Sequence, residues 1–279
     1  MSLLQETKRL FRLHKFFPKK RLGQSFLIDN DLLRRLVSYV SLSNADVVLE
    51  AGAGLGFLTR LLAQKCRKVV AVEIDSKLIK ILKEVLHDLR NIDLIEGDVL
   101  RVSIPSFNKV VSIPPYSISS PLLFWLLEKD FNCAVLAFQK EFAERLNASV
   151  GSKEYSRLTV STYYRAEVEL LDYVSKELFY PPPEVDSIVV RLKPRKPPFS
   201  VANEQLFFEL VQTLFTQRNR KVRKSVIPFL QKQGFRREEA LKIADSLLFH
   251  DKRVRELAPE DFGAIANEIA GKRHEKISL

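Results

Sequence analysis

The chain has 279 residues, of which 46% are hydrophobic and 28% charged, a composition that supports a buried core and excludes an intrinsically disordered protein. It contains no run of about 18 apolar residues, so we expect no transmembrane helix. The formal net charge of +11 favours a polyanionic partner such as nucleic acid.

The chain begins with a basic arm. Up to Arg21 it carries seven basic residues against a single acid, Glu6, and no hydrophobic segment follows, so we expect no secretory signal. The two cysteines, Cys66 and Cys133, lie far apart without the spacing of a metal site, and we expect buried thiols in a reducing cytoplasm. The sequence therefore predicts a cytoplasmic protein without a bound metal.

Strand-like and helix-like segments alternate from Asp46 onward. Short β-branched runs predict buried strands, and apolar residues at i, i+3 and i+4 predict helices between them. The alternation favours a Rossmann-like α/β fold, in which a mostly parallel sheet binds its ligand beyond the carboxyl ends of the strands. The predicted strands are 47–54, 68–75, 92–100, 109–116, 133–139, 166–175 and 187–194, and the predicted helices are 57–66, 76–89 and 120–129.

A proline-rich, charged stretch, KPRKPPF at 193–199, indicates a linker. The segments after it all have helical periodicity. We therefore predict two domains: a catalytic domain with the basic arm over residues 1–195, and a small helical C-terminal domain over residues 200–279.

The first predicted strand ends in a glycine turn, EAGAGLG at 50–56. Gly52 and Gly54 allow a ligand to approach the backbone. Glu73 ends the second strand, at a position where a carboxylate can accept hydrogen bonds from ribose hydroxyls. Asp98 follows the third strand, where its carboxylate can accept a hydrogen bond from an adenine amino group. Each acid alone is equally typical of a helix cap. No P-loop is present and the turn departs from GxGxxG, so the pattern favours a nucleoside without phosphates, such as S-adenosylmethionine.

The fourth predicted strand ends in IPPY at 113–116, which resembles the Pro-Pro-Tyr or Asn-Leu-Pro-Tyr signature of methyltransferases that act on exocyclic amino groups. With its other motifs, the chain resembles the small-subunit ribosomal RNA adenine-N6 dimethyltransferase family, most closely its archaeal and eukaryotic members. The segments that carry the resemblance are KKRLGQSFLID (19–29), VVLEAGAGLGFLT (47–59), VVAVEID (69–75), EGDVL (96–100), VVSIPPYSISSP (110–121), FQKEFAERL (138–146), YSRLTV (155–160), FYPPPEVDSIVVRL (179–192) and FTQRNRKVRKSV (215–226).

The resemblance implies the fold of S-adenosylmethionine-dependent methyltransferases and a reaction. Methyl groups would pass from S-adenosylmethionine to N6 of adjacent adenosines in the 3′-terminal hairpin of small-subunit ribosomal RNA, during ribosome assembly. The implied partner is the small ribosomal subunit, and we expect a monomer. The implied cofactor contacts are Gln24, Ser25 (where asparagine is usual), Leu27, Gly52, Gly54, Glu73, Asp98 and Ile113.

The resemblance also implies catalytic roles. Tyr116 would stack on the extruded adenine, with Phe179 as a second aromatic wall. The Pro114 carbonyl would accept one amino hydrogen. Ile113 stands where the family has an asparagine, whose side chain is the second acceptor. The Ser112 hydroxyl would take the place of that second acceptor only if the loop shifted by one residue. The substitution predicts slow transfer, a single methyl per adenine, or a binding role alone.

A second basic cluster, FTQRNRKVRK at 215–224, holds five basic residues and no acid. The cluster fits RNA phosphates, with a solvated helix face as the alternative. Two other functions stay open for the whole chain: a DNA adenine-N6 methyltransferase, and a non-catalytic factor that binds immature small subunits. The cluster residues predicted to bind RNA are Arg218, Arg220, Lys221 and Arg223.

Overall fold

The computed structural model describes residues 1–277, which form two compact units. The first unit comprises Met1–Ala143 and Val168–Pro194, and the second comprises Glu144–Glu167 and the chain from Arg195 onward. No helix among the described residues is long and apolar enough to cross a bilayer. Residues 278 and 279, which the predicted second domain includes, lie outside the described residues.

The elements follow in chain order. The strands are β1 (Phe26–Leu27), β2 (Val47–Ala51), β3 (Lys68–Glu73), β4 (Ile92–Glu96), β5 (Lys109–Ser112), β6 (Cys133–Gln139), β7 (Ala166–Val174), β8 (Phe179–Tyr180) and β9 (Ser187–Pro194). The α-helices are α1 (Leu3–Leu13), α2 (Asn30–Ser38), α3 (Phe57–Ala63), α4 (Ser76–Val85), α5 (Ser119–Leu127), α6 (Lys140–Leu146), α7 (Arg157–Arg165), α8 (Glu204–Phe215), α9 (Val222–Ser225), α10 (Ile227–Lys232), α11 (Arg237–Ser246) and α12 (Pro259–Ile277). Short 3-10 turns occupy Lys20–Leu22, Tyr116–Ile118, Lys176–Leu178 and Val254–Glu256.

Seven strands form one sheet in the order β4-β3-β2-β5-β6-β9-β7. The five neighbours from β4 to β6 pair in parallel, and β9 pairs antiparallel with β6. Strands β2 and β6 are almost wholly buried, as expected for a sheet covered on both faces. The predicted mostly parallel α/β fold is confirmed, and β2 lies between β3 and β5, which makes its carboxyl end the switch point where such sheets bind ligands.

Five strands (β2, β3, β4, β5 and β7) end earlier than the sequence pattern predicts, and for the central strands β2 and β5 the reason is local. Strand β2 stops at Ala51 because Gly52 and Gly54 adopt positive φ angles, which break the extended conformation. Strand β5 stops at Ser112 because Pro114 and Pro115 have no N–H to donate to a neighbouring strand. The chain therefore turns at the end of both central strands, beside each other at one edge of the sheet.

The basic arm is folded onto the first unit rather than extended. Helix α1 begins at a capping box on Ser2, and its buried Leu10 joins a small core with Phe16 and Phe26. Strands β1 and β8, which the sequence did not predict, pair antiparallel and join Phe26 to Tyr180 and Leu27 to Phe179. Both cysteines are buried and free, as the sequence predicts.

The second unit is helical and takes in more of the chain than predicted. Residues 144–167, which the sequence division placed in the first domain, belong to this unit. The physical reason is its core, in which the buried Tyr155 and Tyr164 pack with Phe207 and its neighbours. The Tyr155 hydroxyl donates to the Leu257 carbonyl at 2.8 Å, which ties the segment to the end of the chain.

Candidate active site

One cleft in the first unit lies at the carboxyl ends of the central strands. Ten of the residues predicted from sequence to act in catalysis or to hold the cofactor line this cleft. They are Gln24, Ser25, Leu27, Gly52, Gly54, Glu73, Ile113, Pro114, Tyr116 and Phe179. The strand-to-helix turn, the proline turn and the arm therefore meet around a single space.

The glycine turn closes tightly against the proline turn. A side chain on Gly52, which has a φ of 89°, would place its Cβ 3.1 Å from the Pro115 ring. At Gly54, with a φ of 58°, a Cβ would lie 3.3 Å from the Phe26 ring. Larger residues at either position would be strained by the backbone and would crowd the cleft wall, so glycine is what allows the two turns to meet here.

Glu73 ends β3 inside the cleft and is almost fully buried. Its carboxylate accepts the backbone N–H of Gly54 at 3.0 Å and that of Asp75 at 2.9 Å. Burial raises the pKa of Glu73, and these N–H groups oppose that rise by stabilising the ionised form. The side chain is thus held in one place at the base of the cleft.

A polar network that sequence reasoning missed joins the arm to this strand end. Asp75, the N-cap of α4, accepts a hydrogen bond from Gln24 Nε2 at 2.9 Å. Its carboxylate also forms an ion pair with Lys19 Nζ at 2.8 Å. Desolvation acts to raise the pKa of Asp75, but the Lys19 and Gln24 hydrogen bonds prevail and lower it. Gln24 also accepts the Lys19 backbone N–H at 2.7 Å, so its amide serves to fix the arm.

Glu50, behind the glycine turn, is the most deeply buried acid at the cleft. Its carboxyl oxygen accepts the Thr59 hydroxyl at 2.6 Å, and the residue is 1% exposed. Burial raises the pKa of Glu50 to about 8, against the lowering effect of Thr59 and with a small contribution from Glu73. Sequence reasoning named Glu50 as part of the turn without predicting a neutral carboxyl there.

The proline turn presents one backbone acceptor and one apolar side chain. The Pro115 carbonyl accepts the Ile118 N–H at 3.1 Å, whereas the Pro114 carbonyl accepts no hydrogen bond from the part of the chain that the structure describes. Ile113 lines the cleft and packs against the main core. Ser112 is fully buried and does not line the cleft, and its hydroxyl donates to the Ala51 carbonyl at 2.6 Å, so its oxygen is out of reach as a substitute acceptor for position 113.

Two aromatic side chains complete the cleft. The Tyr116 hydroxyl lies 2.5 Å from Ser187 Oγ on β9, which fixes the ring, and burial raises its pKa. Phe179 is 3% exposed and belongs to the main core while also lining the cleft. Phe179 is therefore at once a core residue and part of the cleft wall.

Two further residues predicted to contact the cofactor, Ser25 and Asp98, lie in different places relative to the cleft. The Ser25 hydroxyl donates to the Pro181 carbonyl, which orients it along the cleft wall. Asp98 does not line the cleft; its carboxylate accepts the Leu100 N–H at 3.0 Å and lies 3.4 Å from Arg101. It lies two residues after the end of β4, and the Gly97 N–H before it donates to the Glu73 carbonyl at 2.8 Å.

Comparison with known proteins decides the family. A family model described as ribosomal RNA adenine dimethylase matches residues 15–270. The chain belongs to this family. A probable ribosomal RNA small subunit methyltransferase A of Methanosarcina acetivorans is 44% identical over 88% of this chain and 91% of its own. One of Methanothermobacter thermautotrophicus is 41% identical over 96% and 97%.

Solved structures agree with the family. A dimethyladenosine transferase from Plasmodium falciparum superposes with a TM-score of 0.77 and 30% identity, over 90% of this chain and 98% of that one. The 23S rRNA methyltransferase ErmE gives a TM-score of 0.65 and 32% identity, over 88% and 99%. The resemblance to archaeal members of the dimethylase family is thereby confirmed.

Members of this dimethylase family use S-adenosylmethionine, and the cleft fits it. The cradle at Gly52 and Gly54 leaves backbone accessible to a flat nucleoside, and the buried Glu73 carboxylate can accept the two hydroxyls of a ribose. Gln24 and Leu27 would close the opposite wall. When bound, the cofactor supplies a methyl group already activated on a sulfonium.

Glu73→Ala is expected to weaken S-adenosylmethionine binding by about 1–3 kcal/mol, because it removes a charged hydrogen-bonding partner from the cleft, whereas Asp98→Ala, which lies outside the cleft, is expected to leave the affinity nearly unchanged. Glu73→Gln is the milder control, since an amide oxygen can still accept one of the two backbone N–H groups. Isothermal titration calorimetry measures the affinities. Unchanged affinity in the Glu73→Ala variant would contradict the assignment of the cofactor to this cleft.

Glu50→Gln is expected to flatten the pH dependence of stability of this dimethylase. The raised folded-state pKa of Glu50 means that its contribution to stability is fully present below about pH 4.5 and is lost as the pH rises through about 8. Glutamine does not titrate, and it can still accept the Thr59 hydroxyl. Relative to the variant, the wild-type free energy of unfolding should fall by a few kcal/mol from about pH 5 to about pH 8, measured by urea denaturation. Parallel curves for the two proteins would contradict a neutral Glu50.

The basic cluster lies in the second unit, in the turn between α8 and α9. The guanidinium of Arg218 donates to the carbonyls of Ser152 and Lys153 at 2.6 and 2.7 Å, so it has a structural role. Lys221 pairs with Asp251 at 2.9 Å, and Arg223 lies 3.7 Å from the same carboxylate. Arg220 is exposed and makes no ion pair with the side chains that the structure describes, those of residues 1–273.

Replacing all four basic residues by alanine is expected to weaken binding to small subunits and to lower the slope of log affinity against log salt. The slope should fall by about one unit for each RNA phosphate that the variant no longer neutralises. Arg220→Ala alone should remove about one unit without disturbing the fold. Lys242→Ala, on an exposed face of α11, is the matched control. If the four-residue variant keeps the wild-type slope, the cluster is a solvated surface.

Proposed function

We propose that the protein transfers methyl groups from S-adenosylmethionine to N6 of adjacent adenosines in the 3′-terminal hairpin of small-subunit ribosomal RNA, during ribosome assembly. The observation that carries the proposal is the meeting of Tyr116, Phe179 and the free Pro114 carbonyl with the glycine turn and Glu73 in one cleft. The names of the curated relatives, which are small-subunit methyltransferases, support the same substrate.

Tyr116 and Phe179 suit an adenine that has been pulled out of its stack. Nucleic-acid enzymes that modify a base hold it between aromatic or apolar side chains, because the target atom is out of reach inside a helix. In the proposed complex the base lies between these two rings, and the Ser187 hydroxyl keeps Tyr116 in place. The cleft thereby positions the amino group rather than activating it chemically.

The amino nitrogen of adenine is a poor nucleophile, because its lone pair is delocalised into the ring. An acceptor beside the amino group draws it toward tetrahedral geometry and frees that lone pair. The Pro114 carbonyl is the acceptor that the proposal uses, and its lack of a protein partner among residues 1–277 leaves it available. The positive charge that develops on the nitrogen during transfer is stabilised by the same carbonyl.

The aliphatic side chain of Ile113 supports a second candidate function for the protein. With an aliphatic side chain at position 113 and Ser112 committed to Ala51, the cleft has one side-chain acceptor fewer than the family pattern. Attenuated transfer, ending at one methyl, follows from that loss, and a subunit-binding role without catalysis is the second candidate. The cytoplasmic location and the monomeric state stay predictions.

The experiment that tests the proposal compares substrates. Under-methylated small subunits, a short RNA hairpin with adjacent adenosines and duplex DNA are each incubated with enzyme in excess and labelled S-adenosylmethionine. Label is expected in the two RNA substrates and not in DNA. Label in DNA alone would replace the proposal by a DNA adenine methyltransferase, and binding to subunits without label would leave only the assembly role.

A further inference from the structure

A second groove in the first unit lies between the basic arm and the segment after β8. We call it the arm groove. It shares Gln24 with the cofactor cleft, so the two are adjacent. Successive side chains of a strand point to opposite sides, and accordingly Phe179 lines the cleft while Tyr180 lines the groove. The residues that give the groove its chemistry are Lys8, Arg12, Lys15, Lys20, Phe17 and Tyr180.

The charge of the arm groove is uncompensated. Four cationic side chains line it, and no carboxylate does so among the residues that the structure describes. Two acids of neighbouring segments are engaged with other cations: Glu6 pairs with Arg9 at 2.7 Å, and Asp75 pairs with Lys19. Lys8 lies over the Tyr180 ring, 5.2 Å from its centre. Such a site attracts phosphate groups.

Phe17 adds an aromatic face to this charge. Its neighbour Phe16 is 2% exposed and packs against Phe11 and Phe26, with ring centres 5.2 and 6.0 Å apart. Phe17 itself is 78% exposed. The turn after α1 is fixed by the Phe16 N–H, which donates to the Phe11 carbonyl at 2.9 Å. An aromatic ring on an anchored turn among four cations is the combination that binds unpaired nucleotides by stacking and charge.

We propose that the arm groove binds an unpaired nucleotide of the substrate RNA next to the target adenosine. The base stacks on Phe17, and the adjoining phosphates contact Lys8, Arg12, Lys15 and Lys20. The proposal rests on the proposed function and names a subsite for it. The shared Gln24 is what places the bound nucleotide next to the cleft that holds the adenosine.

A binding experiment with modified hairpins tests the subsite. Fluorescent RNA hairpins carry a single abasic residue at each unpaired position flanking the target adenosines, and each is titrated with wild-type protein and with Phe17→Ala. On the intact hairpin, Phe17→Ala is expected to weaken binding between about fivefold and a hundredfold, the range for loss of one base–aromatic stack. At one abasic position the wild type should bind as weakly as the variant, because the stacking partner is then missing from the RNA.

The controls separate stacking from other effects. Phe17→Trp, which keeps an aromatic face, should bind the intact hairpin as the wild type does. Leu13→Ala changes another exposed apolar residue of the arm, outside both pockets, and should leave binding unchanged. Lys8→Gln with Lys15→Gln should lower the slope of log affinity against log salt by about two units.

Three outcomes would overturn the subsite. Wild-type affinity of Phe17→Ala for the intact hairpin, in a preparation whose wild type binds and methylates it, overturns the subsite alone. So does a loss that no abasic position abolishes. A wild type that neither binds nor methylates the hairpin overturns the proposed function together with the subsite.

Discussion

Ile113→Asn is expected to raise the single-turnover rate of methyl transfer by about tenfold or more, equivalent to at least about 1.4 kcal/mol of transition-state stabilisation. The asparagine side chain would supply the second acceptor beside the amino group, which the cleft lacks because Ile113 is aliphatic and Ser112 is buried outside it. Affinity for S-adenosylmethionine should change little, since the gain arises only as charge develops on the nitrogen. Rapid-quench measurements with labelled cofactor and small subunits give the rate.

Two controls make the Ile113 result specific. Ile113→Leu keeps the apolar contact with the main core and adds no acceptor, so it should not accelerate transfer. Tyr116→Ala in the Ile113→Asn background should abolish the gain by removing the wall that holds the base. An asparagine variant that folds and binds cofactor yet is no faster than the wild type would show that something other than this side chain limits the rate.

Tyr116→Ala in the wild-type background is expected to lower the methyl-transfer rate by up to about a hundredfold. Stacking of a base on an aromatic ring contributes about 1–3 kcal/mol, and without the ring the extruded adenine loses its fixed position in the cleft. The loss should appear in single-turnover rates on subunits. Calorimetry should find cofactor affinity within a fewfold of wild type.

Tyr116→Phe separates the ring from its hydroxyl. The variant keeps the stacking face and removes only the hydrogen bond with Ser187, so we expect less than about a tenfold loss, in line with one hydrogen bond. If Tyr116→Phe were as slow as Tyr116→Ala, the hydroxyl rather than the stacking face would be the important feature. If neither variant were slower, the base would not lie against Tyr116.

Most of the fold follows from patterns within single segments. All seven strands of the large sheet, β2 to β7 and β9, were predicted, because β-branched runs bounded by glycine or proline are local signals. The two-residue strands β1 and β8 were missed because periodicity cannot be detected over two residues. Residues 144–167 were placed in the first domain because only the packing of Tyr155 and Tyr164 in three dimensions assigns them to the second unit.

The residues of the candidate site likewise fall into those that local sequence patterns predict and those that only the three-dimensional structure reveals. The residues at strand ends, such as Glu73 and Tyr116, were predicted to lie together because parallel strands end at one edge of a sheet. The link from Lys19 and Gln24 to Asp75 was not predicted, since it joins residues more than 50 positions apart through side chains. The hydrogen bond from the Ser112 hydroxyl to Ala51 could not be predicted either, because the acceptor is a backbone carbonyl on a neighbouring strand.

Mass spectrometry of the target adenosines is the most direct test of the central claim. Under-methylated small subunits are incubated with S-adenosylmethionine and an excess of wild-type protein, and their ribosomal RNA is digested to nucleosides and to fragments that contain the 3′-terminal hairpin. We expect, as the central claim requires, N6-methylated adenosines at the adjacent hairpin positions, formed more slowly by the wild type than by Ile113→Asn. Unmodified adenosines, under conditions where the protein binds both the cofactor and the subunit, would contradict it.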